Sequence, residues 1–215
     1  MSDLRQRRIA LFLPSMRGGG AERAMLDIAN GFARRDQPVD LVLVQAEGPY
    51  LSEVAPSVRL IDLNVSRVAK SLPGLVRYLR REQPMVLLST PSHANIVAIC
   101  AKLLTGGTLR LFVREATTLS QSLKSNSRWR AWKRVQMMKW LYPLADSVIA
   151  VSQGVAADLQ QTAGLASERI KVVYNPVVTP ELQLQAAQAP PHDWFDAEAT
   201  PIILGVGRLS RAKNF

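Results

Sequence analysis

The sequence predicts an α/β protein, a Rossmann-like parallel sheet with helices on both faces. Three observations predict it. Short apolar runs alternate with helical patterns along most of the 215 residues. The runs are mostly continuous rather than alternating, as strands covered on both faces require. A glycine-rich turn, Gly18-Gly19-Gly20, joins the first run to the first helical pattern. Strands that alternate with helices pair in parallel through right-handed crossovers.

Each element follows from local pattern. Ile9–Pro14 (IALFLP) is a short buried strand, and Ala21–Arg34 an amphipathic helix with Met25, Ile28, Ala29 and Phe32 at helical spacing. Val39–Val44 is the second strand, and the alternating Val58–Leu63 the third. Val68–Arg81 is helical, with Pro73 restarting it as a second short helix. Met85–Ser89 is strand four. The apolar helix His93–Leu104 stops at Gly106-Gly107. Leu109–Val113 is strand five, Arg128–Leu141 a long basic helix, and Ser147–Val151 strand six. Gly154–Gln161 is a short helix and Ile170–Val173 strand seven. After Tyr174-Asn175-Pro176 the composition shifts to Gln, Ala, Pro and acidic residues, and Ile202–Val206 then reads as a new strand. The expected organisation is a first domain over 1–178, a linker over 179–200, and the truncated start of a second domain over 201–215.

Composition narrows the function. Hydrophobic residues make up 47% and charged residues 20%, which is globular and excludes a disordered tail. A single cysteine, Cys100, excludes a disulfide framework, and two histidines leave little for a metal site, so no metal is expected. No apolar run reaches the roughly 18–20 residues of a membrane span. The five apolar residues after MSDLRQRR fall short of the roughly 7–15 of a secretory signal. The expectation is a cytoplasmic protein. Lys and Arg total 27 against 17 Asp and Glu, a net charge of +10. That excess calls for an anionic partner: a phosphorylated small molecule, nucleic acid or an anionic membrane surface.

The glycine turn carries the first chemistry. Glycines allow a tight turn and close approach of a ligand, and a helix N-terminus favours phosphate. The turn sits at the carboxyl end of a parallel strand, where such sheets bind ligands. The spacing matches neither G-x-G-x-x-G nor a P-loop, since no G-K-[ST] follows. A plain unliganded turn is the alternative.

Four segments together carry a resemblance. They are Gly18–Arg23 (GGGAER), Ala145–Gly154 (ADSVIAVSQG), Val172–Val177 (VVYNPV) and Val206–Phe215 (VGRLSRAKNF). In this order they resemble the retaining glycosyltransferases of family four, which have the GT-B fold of two Rossmann-like domains facing a cleft. The resemblance implies an acceptor-side first domain and a second domain that binds a nucleotide-sugar, UDP- or GDP-linked, with no further cofactor. It implies that Gly18, Gly19 and Gly20 lie beside the donor diphosphate, and that Arg208 and Lys213 neutralise it on departure. Fixed cations and backbone N–H groups can stabilise that charge without a metal. Solvated loop cations are the alternative for Arg208 and Lys213. The family's paired glutamates would fall beyond Phe215, so the isolated chain is expected to lack most of the donor site and to be inactive.

On the acceptor side, strands four and five end in Ser89–Asn95 and Arg114–Thr118. The second segment resembles the acceptor region of members acting on lipid-linked sugars. There Arg114 would grip an acceptor phosphate and Glu115 would orient or deprotonate the acceptor hydroxyl. His93 is a further acceptor and base candidate. A salt-bridge role for Arg114 and Glu115, and a capping role for His93, are the alternatives. Glu22 is placed to cap its helix or to orient the glycine turn.

The basic helix carries three of the four tryptophans, Trp129, Trp132 and Trp140, within an arc of about 80°. Lys133 and Lys139 flank it. Ala131, Val135, Met138 and Tyr142 cluster opposite, towards the sheet. Tryptophan beside lysine is the chemistry of a bilayer interface. The expectation is peripheral contact with the inner face of the plasma membrane, near an acceptor carried on lipid. Packing against another helix, or lining of the acceptor cleft, are the alternatives. No motif supports nucleic acid. Overall the sequence reads as a glycosyltransferase fragment for polysaccharide or lipid-linked glycan assembly. A non-catalytic membrane- or glycan-binding module is the alternative. A dinucleotide oxidoreductase fails on the missing glycine fingerprint and on Val44-Gln45 where strand two should end in an acid.

Overall fold

The computed structural model describes residues 8–123, 128–178, 180–188, 192, 195 and 202–206. The chain divides into two compact units, Met1–Pro176 and Val177–Phe215.

The first unit is a seven-stranded, all-parallel sheet of order β3-β2-β1-β4-β5-β6-β7. The strands are β1 (Ile9–Leu13), β2 (Val39–Leu43), β3 (Arg59–Asp62), β4 (Val86–Ser89), β5 (Arg110–Glu115), β6 (Ser147–Ala150) and β7 (Ile170–Val172). The helices are α1 (Gly20–Ala33), α2 (Leu72–Glu82), α3 (Ser92–Thr105), α4 (Leu119–Leu123), α5 (Arg128–Leu141) and α6 (Gln153–Ala163). This is the predicted class. Pro73 lies in the first turn of α2, after a 3-10 turn over Val68–Ser71, so it starts a helix rather than kinking one. The sequence reading lacked α4, a five-residue turn whose only apolar residues, Leu119 and Leu123, are too few to mark a helical period.

Strand sidedness builds two cores. Alternate residues of a strand face opposite ways. Leu11, Leu13, Leu41 and Leu43 meet Met25, Leu26 and Ala29 of α1. Phe12, Val42, Leu87, Leu111 and Val113 meet Leu75 and Leu79 of α2, Ala98 of α3, Met138 of α5 and Leu159 of α6. Right-handed crossovers account for the split: connections that run leftward from β1 and rightward from β3 onward must cross opposite faces.

Polar groups pin the sheet. Asp40 of β2 is fully buried. It accepts from Arg8 (2.6 Å), from Arg59 at both oxygens (3.0 and 2.5 Å) and from the Tyr78 hydroxyl (2.7 Å). Burial beside this carboxylate pushes the Tyr78 phenol well above its ordinary pKa. At the other side, Asp146 accepts from Lys102 (2.5 Å) and the Leu111 N–H (2.7 Å), fixing the entry to β6.

In the second unit, Pro180–Ala186 form a short helix, α7, inside the expected linker. The strand expected at Ile202–Val206 is not formed: these residues belong to no sheet. A strand needs a ladder partner, and local apolar character cannot supply one. Arg208, Lys213 and the rest of 207–215 lie outside the described residues, as does Trp194. No helix among the described residues is long and apolar enough to cross a membrane.

Candidate functional site

The strand order reverses between β1 and β4, and a parallel sheet opens a crevice beyond the carboxyl ends of its strands at such a point. Two segments of this chain flank it: the glycine turn after β1 and the Ser89–Asn95 segment after β4.

The glycine turn is held from behind. Met16 is fully buried and its N–H donates to the Glu47 carbonyl (2.8 Å). Arg17 pairs with Glu47 (2.5 Å). Gly18 adopts a φ of +99°, and Gly19 stands at the N-cap of α1. Gly19 has no side chain to cap the helix, so its first N–H groups keep their positive end open. The Glu22 carboxylate folds back over Gly19, into the space a Cβ there would take, which favours loop orientation over capping. Gly18 and Gly20 are exposed.

The residue that shapes this turn is one the sequence reading missed, Gly48. Its φ is +115°, and a Cβ on it would lie 2.1 Å from the Met16 carbonyl oxygen and 2.5 Å from the Arg17 nitrogen. The loop after β2 thus presses its backbone onto the glycine turn. Arg23 and Asn30 of α1 bind the same loop, through Glu53 (2.6 Å) and through the Glu53 carbonyl and Ala55 N–H (both 2.9 Å). The Glu-Gly-Pro tripeptide at 47–49 was the available signal.

Arg114 and Glu115 do not act as a pair. Adjacent strand residues point to opposite faces, and the structure separates them accordingly. Arg114 donates to Asn175 Oδ1 (2.6 Å) and to Thr90 Oγ1 (3.5 Å), stitching β5 to the chain after β7 and to the end of β4. It is buried, and loss of water lowers its pKa, with the Glu115 charge opposing. Glu115 turns to the helix side. It is 3% exposed. Its Oε2 accepts from Ser92 (3.0 Å) and its Oε1 from Asn95 (3.0 Å) and from the Tyr142 hydroxyl. Burial raises the Glu115 pKa, against the pull of these three donors and the Arg134 charge. Tyr142, fully buried, is pushed well above its ordinary value by desolvation and by Glu115. Glu115 is therefore a buried hub with both oxygens occupied, rather than a base presented at the surface. Asn95 also donates to the Arg114 carbonyl and accepts from Ser89 (2.7 Å). The tightly connected Asn95–Tyr142 pair is visible only in three dimensions, because 47 residues separate its members.

His93 is the exposed group of this cluster. It stands in the first turn of α3, and partial desolvation followed by the nearby Arg134 charge lowers its pKa. Arg134 of α5 donates to Ser92 Oγ (2.6 Å), so α5 is hung from the start of α3.

The outer stripe of α5 is where its spacing puts it. Trp129, Trp132 and Trp140 are 61%, 53% and 73% exposed, while Met138 and Tyr142 are fully buried on the other side. Trp129 and Trp132 stack with centroids 5.4 Å apart, and the Lys133 ammonium lies 4.6 Å from the Trp129 ring. Lys139 is exposed beside Trp140.

Comparison with known proteins agrees with this architecture. The chain is 25% identical, over 96% of its length, to 56% of an N-acetylgalactosaminyltransferase of Campylobacter jejuni whose name specifies a diphospho-undecaprenol-linked substrate. Among solved structures it superposes on HepE of Anabaena in complex with UDP-glucose (TM-score 0.62, 21% identity, 83% of this chain and 49% of that one). It also superposes on the lipopolysaccharide outer core galactosyltransferase WaaB (TM-score 0.59, 19% identity, 79% and 46%). The chain spans about half the length of these relatives. Residues 18–180, from the glycine turn to the start of α7, match the family profile, which is most of the chain, and the protein belongs to Glycosyltransferase Family 4.

Proposed function

We propose that this chain is the acceptor-side half of a retaining, metal-independent glycosyltransferase. The reaction is transfer of a sugar from a UDP- or GDP-linked donor to a lipid-linked or polysaccharide acceptor. The observation that carries the reading is the pairing of the glycine turn with the Ser89–Asn95 segment across the strand-order reversal, within a chain of this family. The exposed N–H end of α1, shaped by Gly18, Gly19 and Gly20, suits the donor diphosphate. Arg208 and Lys213 would complete its neutralisation from the second domain. His93, exposed and with a lowered pKa, is neutral at pH 7 and can accept a hydrogen bond or proton from an acceptor hydroxyl. Glu115 and Arg114 position the acceptor wall from inside, Glu115 through Ser92 and Asn95. The lipid-linked substrate in the name of the Campylobacter relative supports an acceptor at a membrane. So does the outward stripe of Trp129, Trp132, Lys133, Lys139 and Trp140, whose chemistry fits an anionic leaflet at the cytoplasmic side.

The test is binding and turnover by the 215-residue chain. A short-chain polyprenyl-diphosphate glycan should bind and lose affinity about tenfold or more in His93→Ala. A UDP- or GDP-sugar should give no measurable turnover with this chain alone. Acceptor binding unaffected by His93→Ala would overturn the acceptor assignment, and turnover by this chain would overturn only its reading as one half of the enzyme.

A further inference from the structure

The surface of α2 has no part in the site described above, yet its charge is one-sided. Arg77, Arg80 and Arg81 are all exposed, opposite the buried Leu75, Tyr78 and Leu79. At 100° per residue the three arginines span an arc of about 100° pointing away from the sheet. Arg67 and Lys70, just before α2, are exposed as well. Among the described residues, Arg67, Lys70, Arg77 and Arg80 meet no carboxylate, and Arg81 shares Glu82 with Arg59.

This stripe adjoins two others. Arg80 Nη2 donates to the Leu104 carbonyl (3.0 Å), which ties α2 to the end of α3. There α3 turns Leu103 and Leu104 outward, 57% and 56% exposed. On the far side of α3 lies α5, joined through Arg134 and Ser92 and presenting its three tryptophans and the exposed Met137. All three helices bury their inner residues in the same core on one sheet face, so their outer residues form one continuous layer. Packed helices lie about 8–10 Å apart, so the arginine and tryptophan stripes stand roughly 20 Å apart on a broad face, not in a groove. The only acid in the three helices is Glu82, half-buried and paired.

We infer that the outer surface of α2, α3 and α5 is one docking face for an anionic lipid bilayer, with the α2 arginines and the α5 tryptophans as separate footholds on either side of Leu103 and Leu104. The inference rests on the bilayer reading of α5 and extends it to a second, independent element. Seven exposed cations lie on these helices or just before α2: Arg67, Lys70, Arg77, Arg80, Arg81, Lys133 and Lys139. Cations attract the anionic headgroups, while leucine and tryptophan enter the headgroup boundary. Each basic residue near such a leaflet strengthens binding about fivefold. RNA would stack its bases on ring faces, and of the three tryptophans Trp129 is already stacked on Trp132 and lies under Lys133, which leaves Trp140 as the main open platform.

The experiment is vesicle flotation of the full chain and three variants, each checked for an unchanged thermal melt. Vesicles are phosphatidylcholine, with or without roughly one-third phosphatidylglycerol. The chain should float only with the anionic vesicles. Arg77→Gln/Arg81→Gln should weaken partitioning about 25-fold, from two cations at about fivefold each. Trp129→Ser/Trp140→Ser should weaken it comparably. Arg34→Gln/Arg35→Gln, exposed on the opposite sheet face at the end of α1, should leave it unchanged. Loss in the tryptophan variant alone would overturn the extended face while leaving the α5 contact standing. Equal loss in the Arg34/Arg35 variant would reduce the effect to net charge and overturn it. No flotation by the parent chain, or preferential binding of a single-stranded RNA, would overturn both.

Discussion

Replacing Gly48 by alanine tests how the glycine turn is held. Gly48 has a φ of +115° and a ψ of 160°, a region essentially reserved for glycine, and a side chain there costs about 1–3 kcal/mol in backbone strain. The added Cβ would also stand 2.1 Å from the Met16 carbonyl oxygen and 2.2 Å from its carbon. These are backbone atoms, so relief requires the turn itself to withdraw by more than 1 Å, to about ordinary contact distance. That withdrawal breaks the Met16–Glu47 hydrogen bond (2.8 Å) and the weaker Tyr50–Met16 one (3.4 Å), at about 1 kcal/mol each. The sum is about 3–5 kcal/mol. For a unit of this size it lowers Tm by roughly 6–20 °C. Gly20→Ala is the internal control. No described atom lies within 4 Å of a Cβ at Gly20, and alanine in the first turn should be neutral or gain up to about 1 kcal/mol. Urea denaturation followed by far-UV circular dichroism measures both. A Gly48→Ala protein within about 0.5 kcal/mol of the parent would refute the claim that this contact shapes the turn.

Three further outcomes follow from the polar contacts within the fold. Asp40→Asn removes the buried charge that Arg8 and Arg59 share, but both arginines reach solvent and Arg59 keeps Glu82, so the change should cost about 1.5–3 kcal/mol, read by urea denaturation. Tyr142→Phe removes one donor from the buried Glu115 and should cost about 1.5–3 kcal/mol by the same measurement. Glu115 and Asp146 should tilt the pH dependence in opposite directions. The folded pKa of Glu115 lies above its ordinary 4.5, so its contribution is greatest below that value and declines as pH rises through the folded pKa, a decline that Glu115→Gln should remove. The folded pKa of Asp146 lies below its ordinary 3.8, because Lys102 and the Leu111 N–H outweigh burial. Its contribution is present above 3.8 and lost as pH falls through the folded pKa, and Asp146→Asn should flatten that acid limb. Thermal melts across pH 2–8 separate the two.

Much of the framework was legible in the chain. Seven runs became seven strands: β1 and β2 are continuous because every position is buried, while β3 alternates because only one of its faces is covered. The tryptophan stripe was legible because helical geometry alone sets which residues of Arg128–Leu141 share a side, and Met138 and Tyr142 then chose the inner one. Ile202–Val206 misled for the converse reason: an apolar run states a preference, and only a neighbouring strand turns it into a strand.

The candidate site was legible in its segments and not in its side chains. Ser89–Asn95, Arg114 and Glu115 were singled out because they end or follow strands at the end where parallel sheets bind ligands. Their partners were not, since Arg114 meets Asn175 61 positions away and Asn95 meets Tyr142 across 47. Sequence by itself determined the class, most of the elements and the outward stripe of α5, which depend on periodicities of a few residues. Tertiary structure alone decided the strand order, the opposite facing of Arg114 and Glu115, the hold of Gly48 on the glycine turn and the common face of α2, α3 and α5. Each of those depends on which distant residues the sheet brings within a few ångströms, and no local pattern encodes such a distance.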